Sequence, residues 1–160
     1  MTYHNAAAIL ADPATAVVER APLTRAFDIV NQAVESRNTL PILSNARMTG
    51  DGSSLWITGT DLDLELTVSI PAAADSRFAV TLPARRMRDL LKKATASDFV
   101  AFTMPEEDSG SATVDFERVK YRLQSLPVTD FPTLRGPTPL CPDLVTVDPS
   151  YRSFRMTGAA

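Results

Sequence analysis

The order of predicted secondary-structure elements constrains the fold of this chain more than any other feature, because the same series runs along it twice. Each half predicts one strand, one helix and then three strands. The predicted ranges are 15–19, 22–36, 42–49, 55–60 and 62–70 in the first half, and 77–82, 84–94, 98–104, 113–118 and 119–126 in the second. Two such halves predict an α+β fold with both helices on one face of a continuous, mostly antiparallel sheet.

The helix and strand predictions depend on the spacing of apolar residues. In the first predicted helix, the apolar residues that share one face are Leu23, Ala26, Phe27, Val30 and Val34. Residues 62–70 alternate apolar and polar side chains without interruption. This alternation is typical of a strand with one face in contact with water.

Composition and charge exclude several classes of protein. The chain has 160 residues, of which 44% are hydrophobic and 22% charged, with a net charge of −3. These values are typical of a globular protein with one domain. No apolar run approaches the roughly 20 residues that span a bilayer, so we expect no membrane partner. No basic leader precedes an apolar stretch at the N-terminus, so we expect a cytoplasmic location.

Residues that carry catalytic or metal-binding chemistry are scarce in this sequence. Cys141 is the only cysteine and His4 the only histidine. The sequence therefore predicts neither a cysteine-based zinc site nor a Ser-His-Asp arrangement. Its six glycines form neither a phosphate-binding Walker loop nor a G-x-G-x-x-G motif. We expect no cofactor, no metal site and no catalytic residue.

Basic residues concentrate in the second predicted helix, where five of the sixteen lie between positions 85 and 93. The apolar side of this helix consists of Met87, Leu90, Leu91 and Ala94. The opposite face carries Arg85, Arg88 and Lys92, with Arg86 and Lys93 on a flank. Such a face fits the phosphates of nucleic acid without reading bases. A solvated helix surface is the alternative interpretation.

Three acidic residues alternate in the first half, and a spacing of two places Asp61, Asp63 and Glu65 on one strand face. Paired carboxylates hold Mg²⁺ in phosphoryl chemistry, so a metal-dependent nuclease is one hypothesis. No positioned partner for these acids is visible in the sequence. We therefore favour the water-facing side of an antiparallel strand.

Four motifs occur in order along the chain. They are R-N-T-L-P-I-L-S-N at 37–45, T-G-T-D-L-D-L-E at 58–65, V-T-L-P-A-R-R at 80–86 and L-P-V-T-D-F-P at 126–132. Their order and spacing resemble the N-terminal domain of the bacterial DNA polymerase III beta subunit, the replicative sliding clamp. The resemblance spans about residues 17–134 and implies a DNA-clamp fold. In that fold two pseudo-symmetric β-α-β-β-β units place helices inside a ring and sheets outside.

The resemblance also assigns roles to individual residues. The implied DNA-binding residues are Arg25, Arg37, Arg85, Arg88, Lys92 and Lys93. Arg86, Tyr121 and Leu123 match positions at the subunit interface of the family, the last two on an edge strand. Arg85 and Arg86 both lie near that interface in the family. Whether they face DNA or a neighbouring subunit therefore stays open.

The domain organisation departs from the family, whose clamp subunits carry three such domains per chain. We expect an N-terminal extension at 1–13, a single DNA-clamp domain at 14–134 and a proline-rich C-terminal tail at 135–160. The last hairpin also differs, because Phe116 and Glu117 replace a Ser-Gly pair. No glycine supplies a positive φ at that turn.

The resemblance implies a non-catalytic processivity protein of DNA replication. It would encircle duplex DNA as a head-to-tail multimer of single clamp domains. The alternative is a modulator or a remnant homologue that caps a full-length clamp subunit. The implied partners are double-stranded DNA and either the chain itself or a full-length clamp subunit. A clamp loader and a polymerase are further candidates.

Overall fold

The computed structural model describes residues 14–34, 39–106 and 110–134. The predicted extension at 1–13, the predicted tail at 135–160 and Arg37 lie outside the described residues. Two α-helices and nine strands occur in the described part. They are β1 (Thr15–Glu19), α1 (Arg20–Val30), β2 (Asn45–Gly50), β3 (Ser54–Thr60), β4 (Glu65–Pro71), β5 (Ala73–Ala74), β6 (Phe78–Pro83), α2 (Ala84–Lys93), β7 (Phe99–Thr103), β8 (Ser111–Phe116) and β9 (Val119–Gln124).

The strands form two antiparallel sheets, in the orders β5-β1-β7-β8-β9 and β4-β3-β2-β6. The first strand of each unit lies in the sheet of the other unit, because β1 pairs with β7 and β6 pairs with β2. The two predicted β-α-β-β-β units are therefore confirmed. The prediction of one continuous sheet is wrong, since this exchange divides the strands between two sheets.

The core lies between the helices and the inner faces of both sheets. α1 packs against β3 and β4, and α2 packs against β2 and β6. The largest fully buried side chains include Leu23, Phe27, Met48, Leu82, Met87, Leu91 and Phe102. Each contributes about 1.5–3 kcal/mol by leaving water. Gly59 of β3 lies directly under α1, where an added Cβ would come within 2.5 Å of Val30 Cγ1.

The first helix is shorter than the predicted range of 22–36. α1 begins at Arg20 and ends at Val30, and turns follow it. Asn31 ends the helix because its Nδ2 donates to the carbonyl oxygen of Phe27 at 2.6 Å and to that of Ala84 at 3.2 Å. A side-chain amide that donates hydrogen bonds to carbonyl oxygens of a helix competes with the backbone N–H groups that would continue the helix.

The predicted strand at 42–49 begins later than expected. Pro41–Ser44 forms a 3₁₀ helix, and β2 starts at Asn45. Pro41 lies at the start of the 3₁₀ turn, where its fixed φ suits a helical turn and its lack of an N–H costs nothing.

The predicted strand at 62–70 is wrong over its first residues, because β4 starts at Glu65. Asp61 Oδ1 accepts the backbone N–H groups of Asp63 and Leu64 at 2.9 and 2.7 Å. Leu62 adopts a positive φ of 81° within this turn. Asp61 and Asp63 therefore do not share a strand face with Glu65, and the premise of the nuclease hypothesis is removed. In the described ranges, no group of three or more His, Cys, Asp or Glu side chains is arranged to hold a metal.

The turn between β8 and β9 is tight, with Phe116 opposite Val119. Glu117 has a φ of 56°, and the N–H of Arg118 donates to the carbonyl oxygen of Phe116. A positive φ with a side chain present costs roughly 1–2 kcal/mol. Glu117 thus adopts the conformation that a glycine would take at lower cost.

Residues 125–134, which we call the covering segment, lie across the outer face of the four-stranded sheet. Thr81 Oγ1 donates to the carbonyl oxygen of Leu126 at 2.7 Å and accepts its N–H at 3.0 Å. The Arg47 guanidinium lies 5.2 Å from the centroid of the Phe131 ring, a cation–π arrangement. These contacts hold the L-P-V-T-D-F-P motif on the sheet.

Two exposed aspartates are held by hydrogen bonds at turns. The backbone N–H groups of Ser53 and Ser54 donate to Asp51 Oδ1 at 3.0 and 2.8 Å, which holds the pKa of Asp51 below its usual 3.8. Partial desolvation raises the pKa of Asp75. The bonds that this carboxylate accepts, among them those from the N–H and Oγ1 of Thr15, outweigh desolvation and leave the pKa below 3.8.

None of the helices in the described part is long and apolar enough to span a bilayer.

Candidate nucleic-acid interface

α2 follows β6 directly and turns its apolar side to the core. Ala84, Met87 and Leu91 are buried, and Leu90 and Ala94 pack partly buried against them. The start and the apolar base predicted for this helix are confirmed, and the helix ends at Lys93, one residue before the predicted end. Lys92 and Lys93 occupy its last turn, where cations interact favourably with the helix dipole.

The two helices run antiparallel and are joined at both ends by side chains. Arg20, the first residue of α1, donates through Nε to the carbonyl oxygen of Ser97 at 2.7 Å and through Nη1 to that of Leu91 at 3.3 Å. Asn31, just after α1, donates to the carbonyl oxygen of Ala84, the first residue of α2. The outer sides of α1 and α2 therefore form one surface, which we call the helix face.

Two of the predicted DNA-binding cations on this face contact carboxylates. Lys92 Nζ lies 2.9 Å from Asp28 Oδ1 on α1, and both side chains are about half exposed, at 53% and 43%. Arg88 Nη2 lies 3.6 Å from Asp89 Oδ1, and the Arg88 side chain is 33% exposed. Since Arg88 and Lys92 are one turn apart, both lie on the side of α2 toward α1.

The remaining predicted DNA-binding residues of the described part are Arg25, Arg85 and Lys93, and all three are exposed. In the described ranges, neither Arg25 nor Arg85 forms an ion pair. Arg88 and Lys92 therefore lie beside Asp89 and Asp28 on the helix face, and Arg25 and Arg85 are exposed on the same two helices. The DNA-binding role of these residues stays a prediction.

A groove of about 620 Å³ runs between α2 and β9 and gathers the predicted interface residues. Among the described strands, β9 lies at the edge of the five-stranded sheet. Leu123 is buried, and the ring of Tyr121 packs edge-to-face on Phe116 with centroids 5.8 Å apart. The groove lining includes Arg85, Arg86, Lys93, Tyr121, Arg122 and Leu123. Arg86 and Lys93 therefore lie on the β9 side of α2, away from Arg88 and Lys92.

Two charged residues that matter to these surfaces were missed in the sequence. Asp28 stood on the outer side of the first predicted helix, but its contact with Lys92 depends on how the two helices are placed. Arg122 follows Arg118 and Lys120 at a spacing of two, a signal that could have identified the basic edge strand.

Two β-α-β-β-β units that exchange their first strands, with paired helices on one face and sheets on the other, define a clamp domain. The chain belongs to the DNA polymerase III beta subunit family, whose N-terminal domain model matches residues 15–135. The resemblance carried by the four motifs is therefore confirmed, and so is the clamp fold that it implied.

Relatives in two bacteria show the degree of similarity. The beta sliding clamp of Pseudomonas aeruginosa is 34% identical over 123 residues, which cover 75% of this chain and 32% of the relative. That of Caulobacter vibrioides is 32% identical over 117 residues, which cover 73% of this chain and 31% of the relative. This chain thus spans about a third of the length of these relatives.

Solved structures agree with the sequence relatives. A crystal structure of the Caulobacter crescentus beta sliding clamp matches with a TM-score of 0.74 at 30% identity, over 79% of this chain and 33% of that one. A Pseudomonas aeruginosa clamp bound to griselimycin matches with a TM-score of 0.69 at 32% identity, over 78% and 34% of the two chains.

Proposed function

We propose that this chain acts as a sliding-clamp domain in DNA replication, a non-catalytic processivity factor whose helix face contacts duplex DNA. The observation that carries the proposal is the exposed cationic face of a paired-helix clamp domain. Family membership supports the same function. A DNA partner of this kind is consistent with a cytoplasmic location.

The proposed contact with DNA is electrostatic and not specific for sequence. Arg25, Arg85, Arg88 and Lys92 project from helices that lie side by side, so they meet phosphates rather than base edges. Each phosphate neutralised adds about 0.9 to the slope of log affinity against log salt concentration. Arg37 is a further proposed phosphate contact.

The proposed assembly is a head-to-tail multimer, joined through the groove between α2 and β9. An edge strand offers unpaired backbone groups to a neighbouring strand. The groove supplies Tyr121 and Leu123 as apolar contacts and Arg86 and Arg122 as charges beside them. A clamp loader and a polymerase are proposed as further partners of the assembled clamp.

Paired substitutions on the helix face test the DNA contact. Arg85→Ala with Lys92→Ala is expected to lower affinity for a labelled duplex about tenfold at low salt, and to reduce the salt slope by up to about 1.8. The matched control is Arg77→Ala with Lys120→Ala, which removes the same charge away from the helix face. Binding measured by fluorescence anisotropy that falls equally in both variants would exclude the helix face as the contact surface.

The assembly is tested by the absolute mass in solution, measured by light scattering over a concentration series. A multimer that Tyr121→Ala and Arg122→Glu dissociate supports joining through the groove. A monomer at every concentration that forms a stoichiometric complex with a full-length clamp subunit would instead support the capping function.

A further inference from the structure

One ion pair on the helix face joins the two helices. Lys92 Nζ of α2 and Asp28 Oδ1 of α1 are 2.9 Å apart, the shortest ion pair in the part of the chain that the structure describes. Both side chains are about half exposed. The pair is therefore open to solvent, and a phosphate can approach the Lys92 ammonium while Asp28 holds it.

The charges around this pair set how strongly the helix face attracts phosphates. Of its cations, Lys92 contacts Asp28 and Arg88 contacts Asp89. An ammonium has three donors, so Lys92 can exchange between a carboxylate and a phosphate. Any phosphate that binds Lys92 must displace Asp28 or lie beside it, and like charges repel within a Debye length of about 10 Å.

We infer that Asp28 regulates the strength of DNA contact by competing with phosphate for Lys92. This inference rests on the proposed function, because it concerns the same helix face. Asp28 keeps the contact at Lys92 weak and rapidly exchanged, which suits a protein that must move along the duplex. Its effect is on affinity and salt dependence, not on folding.

Asp28→Asn tests the inference, because it keeps the side-chain shape and removes the charge. Affinity for a labelled duplex is expected to rise about 1.4- to fivefold, the range that exposed ion pairs span. The salt slope is expected to steepen by up to about 0.9, since Lys92 becomes a full phosphate contact. Thermal unfolding of the variant should match that of the unchanged chain.

Asp115→Asn is the matched control for this variant. Asp115 pairs with Lys120 at 3.2 Å and alternates with Ala112 and Val114, which point to the core, so it lies on the side of the sheet away from the helices. Asp115→Asn removes one negative charge and one ion pair with a lysine, as Asp28→Asn does. Equal gains in affinity from Asp28→Asn and Asp115→Asn would overturn the inference, since net charge alone would explain both.

A double-mutant cycle separates competition for Lys92 from simple repulsion. In a Lys92→Gln background, Asp28→Asn is expected to raise affinity for DNA by less than half as much as it does in the unchanged chain. A gain that persists undiminished would overturn the role of Lys92. Absence of DNA binding in both the unchanged chain and Asp28→Asn at low salt would overturn the proposed function together with this inference. Binding without any change in Asp28→Asn would overturn the inference alone.

Discussion

The two β-α-β-β-β units follow one order of elements, yet their helices differ in chemistry. α1 buries Leu23 and Phe27 and carries one arginine and one aspartate on its outer side, whereas α2 carries five basic residues between Arg85 and Lys93. Packing on the sheets constrains only the apolar side of each helix. The outer side is free to differ, so the second unit supplies most of the cationic charge.

The equivalent last hairpins of the units differ as well. The β3–β4 turn contains Leu62 at a positive φ, and the Asp61 carboxylate stabilises this turn by two backbone hydrogen bonds. In the β8–β9 turn Glu117 has a positive φ, and the Ser97 hydroxyl donates to the carbonyl oxygen of Phe116 at 3.0 Å. The first turn is thus held by a carboxylate that accepts two backbone N–H groups, and the second by a hydroxyl that donates to one backbone carbonyl oxygen.

The largest effect is expected from the core side of α1. Phe27→Ala should lower the free energy of unfolding by about 3–5 kcal/mol, because it removes a fully buried ring and leaves a cavity. Arg85→Ala on the exposed side of α2 should change it by less than about 0.5 kcal/mol. Denaturant unfolding followed by fluorescence of Trp56, the only tryptophan, measures both. Similar losses of unfolding free energy in the two variants would contradict the conclusion that packing constrains only the apolar side of each helix.

A smaller loss is expected where α1 approaches the sheet most closely. Gly59→Ala should cost about 1–3 kcal/mol, because the new Cβ would meet Val30 Cγ1 at 2.5 Å and the Val30 carbonyl oxygen at 3.0 Å. In a Val30→Ala background the cost should shrink, since the contacting methyl group is gone. Ser69→Ala, on the outer face of β4, is the control. An unchanged midpoint of unfolding in Gly59→Ala would show that α1 can move away from β3.

Much of the fold was predictable because it depends on local patterns. The order of elements, the start of α2 and its apolar base follow from the spacing of apolar residues. The exchange of β1 and β6 was not predictable, since alternation identifies a strand without identifying its partner. The turn at Asp61 was missed because its residues alternate as a strand does. The aspartate carboxylate accepts hydrogen bonds from two backbone N–H groups of the residues that follow it.

The candidate site was predictable in composition and less so in geometry. The five basic residues of α2 were identified from charge and periodicity alone. Their division between the α1 side and the β9 side depends on what packs beside the helix, and so does the pairing of Lys92 with Asp28. Single-sequence patterns carry no information on such neighbours.

A gain in stability is expected from the hairpin of the second unit. Glu117→Gly should raise the free energy of unfolding by about 1 kcal/mol, because glycine adopts a positive φ without steric cost. Arg118→Gly, at the next position, where φ is not positive, should instead lower it slightly. Thermal unfolding of the two variants measures the difference. A loss of stability in Glu117→Gly would mean that its side chain, rather than its backbone, stabilises the turn.

The smallest effect is expected from the turns around Asp51 and Asp75. Both carboxylates have a pKa below 3.8 in the folded chain, so the unfolded chain takes up protons first as pH falls. The free energy of unfolding should therefore decrease as pH drops through 3.8 toward the lower folded pKa values. Asp75→Asn should reduce this decrease in a series of thermal unfolding curves. An unchanged decrease in Asp75→Asn would contradict the contribution of this carboxylate.

The exchange of first strands has a consequence for how the chain folds during synthesis. β1 leaves the ribosome well before β7, because Thr15 pairs with Thr103, on the order of 90 residues later. At about 5–20 residues per second, several seconds pass between the synthesis of β1 and that of β7. The first unit therefore cannot complete its fold alone, and the domain forms only once the second unit has been made. Strand pairing across so many residues favours slow folding.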